Sequence, residues 1–390
     1  MRILLPVVVV SCGLFINAYP LLSQTWAQIG TNGVTWLAVA SSADGSSLVA
    51  LGRQVPVGEI FTSTNSGFTW ILKTNIPGVY NWYSAASSAD GLKLVGVAAT
   101  GQIYASTNAG DTWLLTSAPS ERWQNVVSSA DGNRLAATAS SVICTSTNSG
   151  LTWRTNSPAG GGVTWSAVAS SADGTRLIFA PTSGPIYTSA DSGDTWAITT
   201  APSTNWYCVA SSADGARLVA AVGGPGPSGS IYISTDFGAT WTMTVAPVAN
   251  WSSVAISAEG SRLAAGSIIG AMYTSTDSGY SWDSNSVPNQ HWICIASSAD
   301  GSKLWALGSG SMYTSQSTPT PSLNIIPSSP NLTLSWTVPA TGFLLQQNAD
   351  LTTTNWIDVT NTPVLNLTNL QNEVSLPLPA STSFYRLKTL

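Results

Sequence analysis

The chain has 390 residues, a net charge of −5 and 8% charged residues, against about 25% in an ordinary globular protein. Its 13 Lys and Arg form no run that could neutralise a phosphate backbone, so nucleic acid is not an expected partner. The length suffices for two or three domains with a large core.

The start, "MRILLPVVVVSCGLFINAYPLLSQTWA", carries one Arg and then an apolar run. The run is too short and too early for a membrane span and reads as a secretory signal over residues 1–23, cleaved after Ala18 or Ser23. "VVSC" offers a lipoprotein cysteine at Cys12 as the alternative. The expected location is therefore secreted, periplasmic or on the cell surface. Cys144, Cys208 and Cys294 remain. Three cysteines suggest no disulfide framework, and they read as small buried hydrophobes.

Two motifs then alternate. "SSADG" stands at 41, 87, 128, 170, 211 and 297, with "ISAEG" at 256. Their mean spacing of about 43 residues is in the range of propeller blades. A tryptophan lies five residues before each: Trp36, Trp82, Trp123, Trp165, Trp206, Trp251 and Trp292. Between them recur "STNSGFTW" at 63, "STNAGDTW" at 106, "STNSGLTW" at 146, "SADSGDTW" at 189, "STDFGATW" at 234 and "STDSGYSW" at 275.

One unit predicts four strands. In "WYCVASS", "ARLVAAV" and "SIYISTD" apolar residues alternate with small ones, and "WTMTV" supplies a fourth strand. Asp-Gly turns join the first strand (A) to the second (B). The eight-residue motif joins the third (C) to the fourth (D), with its Ser, Asp or Asn side chains bonding within the turn. Asn65, Asn108 and Asn148 replace the Asp found at Asp191, Asp236 and Asp277. A catalytic carboxylate would not tolerate that exchange, whereas a turn would.

These residues resemble the Asp-box, or BNR, repeat, S-x-D-x-G-x-x-W, over about 24–317. The resemblance implies a β-propeller of the sialidase, sortilin and Ycf48/Hcf136 kind, whose members do unrelated things. The seventh unit ends after "SMYTSQS" without a fourth strand, and "SQTWAQI" at 23–29 matches the end of the motif. The expectation is an all-β, seven-bladed propeller over 24–317, closed by an N-terminal strand. A proline-punctuated linker, 318–322, follows, and then a small β-sandwich over 323–390. The pattern of that module is similar to C-terminal modules of exported proteins from Verrucomicrobia-like bacteria.

Functional residues should be those that break the repeat. Seven acids recur in the A–B turn and five in the C–D turn. Six of the basic residues share one position in the second strand, from Lys93 to Lys303. Outside this framework, on the face of the variable B–C and D–A loops, stand Arg53, Glu59, Lys73, Tyr80, Glu121, Arg122 and His291. Arg122 and His291 directly precede a repeated tryptophan and should line the mouth of the channel. A lone His cannot make a zinc site, so no metal and no cofactor are expected.

Sialidase chemistry needs a Tyr nucleophile, acidic partners and three arginines gripping a carboxylate. No Arg lies between residues 3 and 52, and the Arg-Ile-Pro motif of that family is absent. The expected function is a non-enzymatic binding or assembly scaffold acting as a monomer, with a protein or a glycan on the variable-loop face. The alternative is a carbohydrate-active protein, a glycoside hydrolase or lectin, in which Tyr80, Tyr83 and Tyr207 stack on sugars.

Overall fold

The computed structural model describes residues 26–30, 33–54, 57–74, 76, 81–99, 101–156, 163–225, 228–317, 323–328, 330–337, 343–379 and 382–389. Residues 1–23, read as a signal, with Cys12, the 318–322 linker and Tyr80 lie outside the described residues. Among the described residues every regular element is a strand, and no helix is long and apolar enough to cross a membrane.

Six sheets share one plan of four antiparallel strands in chain order. The fifth is representative: Trp206–Ser211, Leu218–Val222, Ile231–Ser234 and Thr242–Met243. A seventh sheet differs only at its outer edge. Its strands Trp292–Ser297, Lys303–Gly308 and Ser311–Gln316 are followed by Trp26–Ile29 from the other end of the chain. Trp26 lies opposite Ser315, and Ile29 opposite Met312.

The cores form between neighbouring sheets. One layer joins Ala38, Val49 and Leu51 of the first sheet to Trp82, Ala85 and Leu94 of the second. Another joins Ala296, Trp305 and Met312 of the seventh to Trp36, Leu48 and Phe61 of the first. The repeated tryptophans that open the innermost strands fill these layers, each 0–2% exposed. Burying one such ring contributes about 1.5–3 kcal/mol or more.

At the A–B turns a chain of backbone hydrogen bonds runs from sheet to sheet. Ala43 N–H donates to Ala89 C=O, Ala89 to Ala130, Ala130 to Ala172, Ala172 to Ala213, Ala213 to Ala258, Ala258 to Ala299, and Ala299 back to Ala43. Alanine suits this position because a larger side chain would crowd the axis where the inner strands converge.

The turns themselves are side-chain scaffolds. Ser42 Oγ donates to Asp44 Oδ1 at 2.6 Å, and the Ser46 amide donates to the same oxygen at 2.9 Å. In the C–D turn, Ser234 Oγ donates to Asp236 Oδ1 at 2.9 Å and accepts the Gly238 amide at 2.9 Å. Phe237 and Gly238 both have positive φ, 60° and 88°, which is why glycine recurs at the second position. Of the tryptophans that end these motifs, Trp113 is buried, whereas Trp70, Trp153, Trp196, Trp241 and Trp282 are half-buried. Their outermost strands are short edges with no sheet beyond them.

The last part of the chain forms two more sheets. One runs Asn324–Ser328, Asn331–Thr337, Gln371–Pro377, Val364–Asn366, and the other Ile357–Asp358, Phe343–Asn348, Phe384–Thr389. Leu332, Leu334, Trp336, Leu345, Val374 and Tyr385 share one core. Leu365 and Leu370 of this module pack on the alanine ring at the A–B end of the inner strands. Thr337 Oγ1 donates to Glu259 Oε1 at the same end.

Candidate functional site

The C-terminal module covers the centre of the A–B end, whose turns repeat from sheet to sheet. The other end, where the tryptophans open the innermost strands, carries the residues that differ from sheet to sheet. Every inner strand has a bulge there. The pairing jumps from Trp36 to Ala38, Trp82 to Ser84, Trp123 to Asn125 and Trp165 to Ala167. It jumps likewise from Trp206 to Cys208, Trp251 to Ser253 and Trp292 to Cys294.

A bulge leaves one residue unpaired and re-aims its side chain. The unpaired residues are Leu37, Tyr83, Gln124, Ser166, Tyr207, Ser252 and Ile293. Ser166 and Ser252 bend back, their hydroxyls donating to Ala180 C=O and Gly266 C=O at 2.9 Å. Tyr83 and Tyr207 stay open, 46% and 38% exposed. Gly224, in the long B–C loop of the fifth sheet, lies against the Tyr207 ring, where a Cβ would come within 2.3 Å. Burial raises the Tyr207 phenol above its ordinary pKa, so this hydroxyl is a neutral donor near neutral pH.

The charged residues divide into those at the mouth and those turned from it. Arg53 is exposed, and its Nη2 donates to Asn81 Oδ1 at 2.6 Å across the junction of the first two sheets. Glu59 is half-buried with Oε2 unpartnered among the described residues. It does not pair with Arg53: Gly52 faces Glu59 and Arg53 faces Gly58, so the pleat sends the two side chains to opposite faces. Glu121 is half-buried and turned toward the body of the third sheet. Burial chiefly raises the Cys144 thiol pKa there, and the Glu121 charge adds to the rise.

Arg122 and His291 are exposed immediately before Trp123 and Trp292. They belong to the third and seventh sheets and are not neighbours. Beside His291, Gln290 accepts from Ser311 Oγ at 2.9 Å and lies over Gly308, where any Cβ would collide with it. Lys73 requires a correction. Its Nζ donates to Asp111 Oδ1 at 2.7 Å, so it belongs to the outer rim and bridges to the C–D turn of the next sheet. Arg154 makes the same kind of rim bridge to Asp194, at 2.5 Å.

The six motif residues Asn65, Asn108, Asn148, Asp191, Asp236 and Asp277 all hold their own turns. Each accepts the serine hydroxyl two residues before it and the amide four residues after it, as at Ser63, Asn65 and Thr69. Cys208 and Cys294 are raised by burial, which makes them inert hydrophobes rather than nucleophiles. No group of three His, Cys, Asp or Glu among the described residues could hold a metal ion.

Sequence reasoning missed the contact between the two parts of the chain. Its one signal was Glu259, the single Glu among seven A–B turn acids. The shorter Asp closes its own turn, whereas Glu259 reaches out to Thr337. The bulge ring was legible only as the position after each repeated tryptophan, where residue type changes freely.

No protein-family model matches the chain, and no curated protein matches it significantly. Solved structures do. YCF48 bound to D1 peptide aligns with 76% of this chain and 97% of its own, at 16% identity and a TM-score of 0.59. YCF48 from Cyanidioschyzon merolae aligns with 75% and 98%, at 14% identity and a TM-score of 0.59. The Cps50 (Swd1) β-propeller domain of Myceliophteria thermophila aligns with 76% and 99%, again at 14% and 0.59. The chain thus has a propeller fold of the kind seen in these structures.

Proposed function

We propose that the protein is a binding or assembly scaffold, and that it takes a segment of a partner protein at the mouth opposite its C-terminal module. The seven similar sheets are read as seven blades of an Asp-box propeller over 24–317. Trp26–Ile29 closes the ring, and the sandwich occupies 323–390. The observation that carries the reading is the bulge repeated in every inner strand. It takes one residue per inner strand out of the ladder, and at Tyr83 and Tyr207 the side chain so released stays exposed, at the end the C-terminal module leaves open.

The chemistry there suits binding. Arg53 and Arg122 supply charge-assisted donors, Tyr83 and Tyr207 supply flat apolar faces with a hydroxyl, and His291 adds a further polar ring. Glu59 lies in the first sheet and Glu121 directly before the third, so the two carboxylates that glycoside hydrolysis would need do not come from one sheet. Among the similar structures, YCF48 is seen with a D1 peptide. A propeller of this shape therefore offers a surface on which a peptide can lie, and this chain is read the same way.

The exposed rings of Tyr83 and Tyr207 favour one other reading, a glycan stacked at the mouth. A peptide array, a glycan array and a fluorogenic glycoside panel separate the two. The scaffold reading expects peptide binding that is lost in a Tyr83→Ala, Tyr207→Ala double variant, with no turnover of any glycoside. Glycoside turnover abolished by Glu121→Gln would overturn it.

A further inference from the structure

The bases at the shared strand B position mostly hold neighbouring sheets together. Lys93, Arg134, Arg217, Arg262 and Lys303 each donate a side-chain hydrogen bond to the next sheet or its turns. In three of them a serine of the next C–D turn takes part. Lys93 Nζ donates to Ser149 Oγ at 3.3 Å, Arg217 Nη1 to Ser278 Oγ at 3.0 Å and Lys303 Nζ to Ser66 Oγ at 3.3 Å.

Arg176 differs. Phe237 stands where that serine would, directly before the motif glycine. The Arg176 guanidinium lies over the Phe237 ring, 3.6 Å from its centre. Among the described residues it makes no side-chain hydrogen bond and no ion pair. The carboxylates of the adjoining A–B turns are held by their own turns. Asp173 and Asp214 accept the hydroxyls of Ser171 and Ser212 at 2.6 Å, and the amides of Thr175 and Ala216 at 2.9 Å.

A second departure from the repeat falls at the same junction. After its first serine the motif has Thr64, Thr107, Thr147, Thr235 and Thr276, but Ala190 in the fourth sheet. Arg176, Phe237 and Ala190 line a cavity of about 240 Å³ between the fourth and fifth sheets. The matching space between the second and third, lined by Thr107 and Ser149, is about 10 Å³, and that between the third and fourth about 0 Å³. Leu177, Leu218 and Trp196 make the rest of the wall largely apolar. Trp196 is fixed by an edge contact with Phe179, ring centres 4.9 Å apart.

Arg176 is itself held in place. Its amide donates to Ser171 Oγ at 3.0 Å, and its stem lies on Gly215, where a Cβ would come within 2.7 Å of Arg176 Cδ. A positioned guanidinium with unspent N–H groups suits a carboxylate, which it can grip through two parallel hydrogen bonds.

We propose that this cavity binds a small organic carboxylate with a flat apolar body. The carboxylate pairs with Arg176, and the body lies against Trp196, Leu177 and Leu218. An inorganic anion matches the charge but leaves the apolar wall uncovered. The volume is that of about eight waters, so an occupant the size of benzoate fills it. The site sits beside the turns, at the end opposite the mouth, so its fate is separate from that of the partner segment placed there.

Ligand-observed NMR titration of the full chain with benzoate, benzamide and inorganic phosphate tests this. Benzoate is expected to bind at least about tenfold more tightly than benzamide, which has its shape without its charge, or phosphate. Arg176→Gln should weaken benzoate by at least the same factor. Two further variants restore residues that the repeat uses elsewhere, so the fold accommodates them. Ala190→Thr narrows the cavity, and Phe237→Ser returns a serine partner to Arg176. Their combination should also weaken benzoate by about tenfold or more. Equal binding of benzoate and benzamide, or tighter binding of phosphate, overturns the proposal. So does a benzoate affinity that is unmeasurable in the parent or unchanged in the Ala190→Thr, Phe237→Ser variant.

Discussion

Thr240 donates its hydroxyl to Asp236 Oδ2 at 2.6 Å, and the matching pair at Asn65 runs the other way, its Nδ2 donating to Thr69 Oγ1 at 2.8 Å. The threonine hydroxyl rotates to suit either partner. In both turns the remaining oxygen accepts the serine hydroxyl and the threonine amide. This reversal is why Asp and Asn interchange without disturbing the turn.

Asp236→Asn should therefore change stability by no more than about 0.5 kcal/mol at pH 7. Trp241→Ala should cost about 2–3 kcal/mol, below the usual range for a fully buried ring because Trp241 is half-buried. Denaturant titration ranks the two. The reverse order would make the motif a functional site rather than a turn.

The same turns set an acid sensitivity. Thr195, through its hydroxyl and its amide, lowers Asp191 to about 2, and equivalent bonds from Thr240 and Ser281 lower Asp236 and Asp277. A depressed folded-state pKa stabilises the fold above the ordinary carboxylate pKa of about 3.9 and loses that contribution as pH falls through the folded value. The triple variant Asp191→Asn, Asp236→Asn, Asp277→Asn should lose less stability than the parent between pH 5 and about pH 2. Parallel loss in the two proteins would place the acid response elsewhere.

Deleting Trp26–Ile29 should destabilise the repeated sheets, because Ser311–Gln316 becomes an unpaired edge and the core around Met312 and Trp305 opens. Thermal melting compares the deletion with the parent. If both melt together, the strand does not hold the sheets together.

The contact of Leu365 and Leu370 with the alanine ring predicts a detachable module. A Leu365→Asp, Leu370→Asp double variant places two charges against apolar alanines, which burial disfavours. Small-angle scattering should show a larger radius of gyration, and the rest of the chain should keep its melting temperature. An unchanged radius would mean that the Thr337–Glu259 contact alone holds the module.

Once a mouth ligand is in hand, Arg122→Ala should weaken it by about 1–3 kcal/mol, the range for a charge-assisted hydrogen bond. Lys93→Ala should leave affinity unchanged, since its ammonium donates to Asn133 Oδ1 at 2.6 Å inside the framework. Isothermal titration separates them. Loss of binding in the Lys93 variant alone would point to the turn face.

The sequence by itself determined what repeats. Alternating strands, Asp-Gly turns and the serine-to-tryptophan motif are local patterns, each closed by bonds within about eight residues, as at Ser234, Asp236 and Gly238. Local bonds leave a local signature, so the sheets and turns could be read without coordinates. What breaks the repeat was only partly legible. Lys73 looked free until the neighbouring sheet brought Asp111 to it, 38 residues away. Arg53 and Glu59 both stood out as breaking the repeat, but which strand face each takes was set by the pairing of Gly52 with Glu59 and of Arg53 with Gly58. The alanine ring and its cover by Leu365 and Leu370 join residues far apart in the chain. Such contacts depend on how the sheets are arranged around one axis. The repeat spacing announces the blades but not what lies against their ends, so the tertiary structure alone decided which end is covered and which is open.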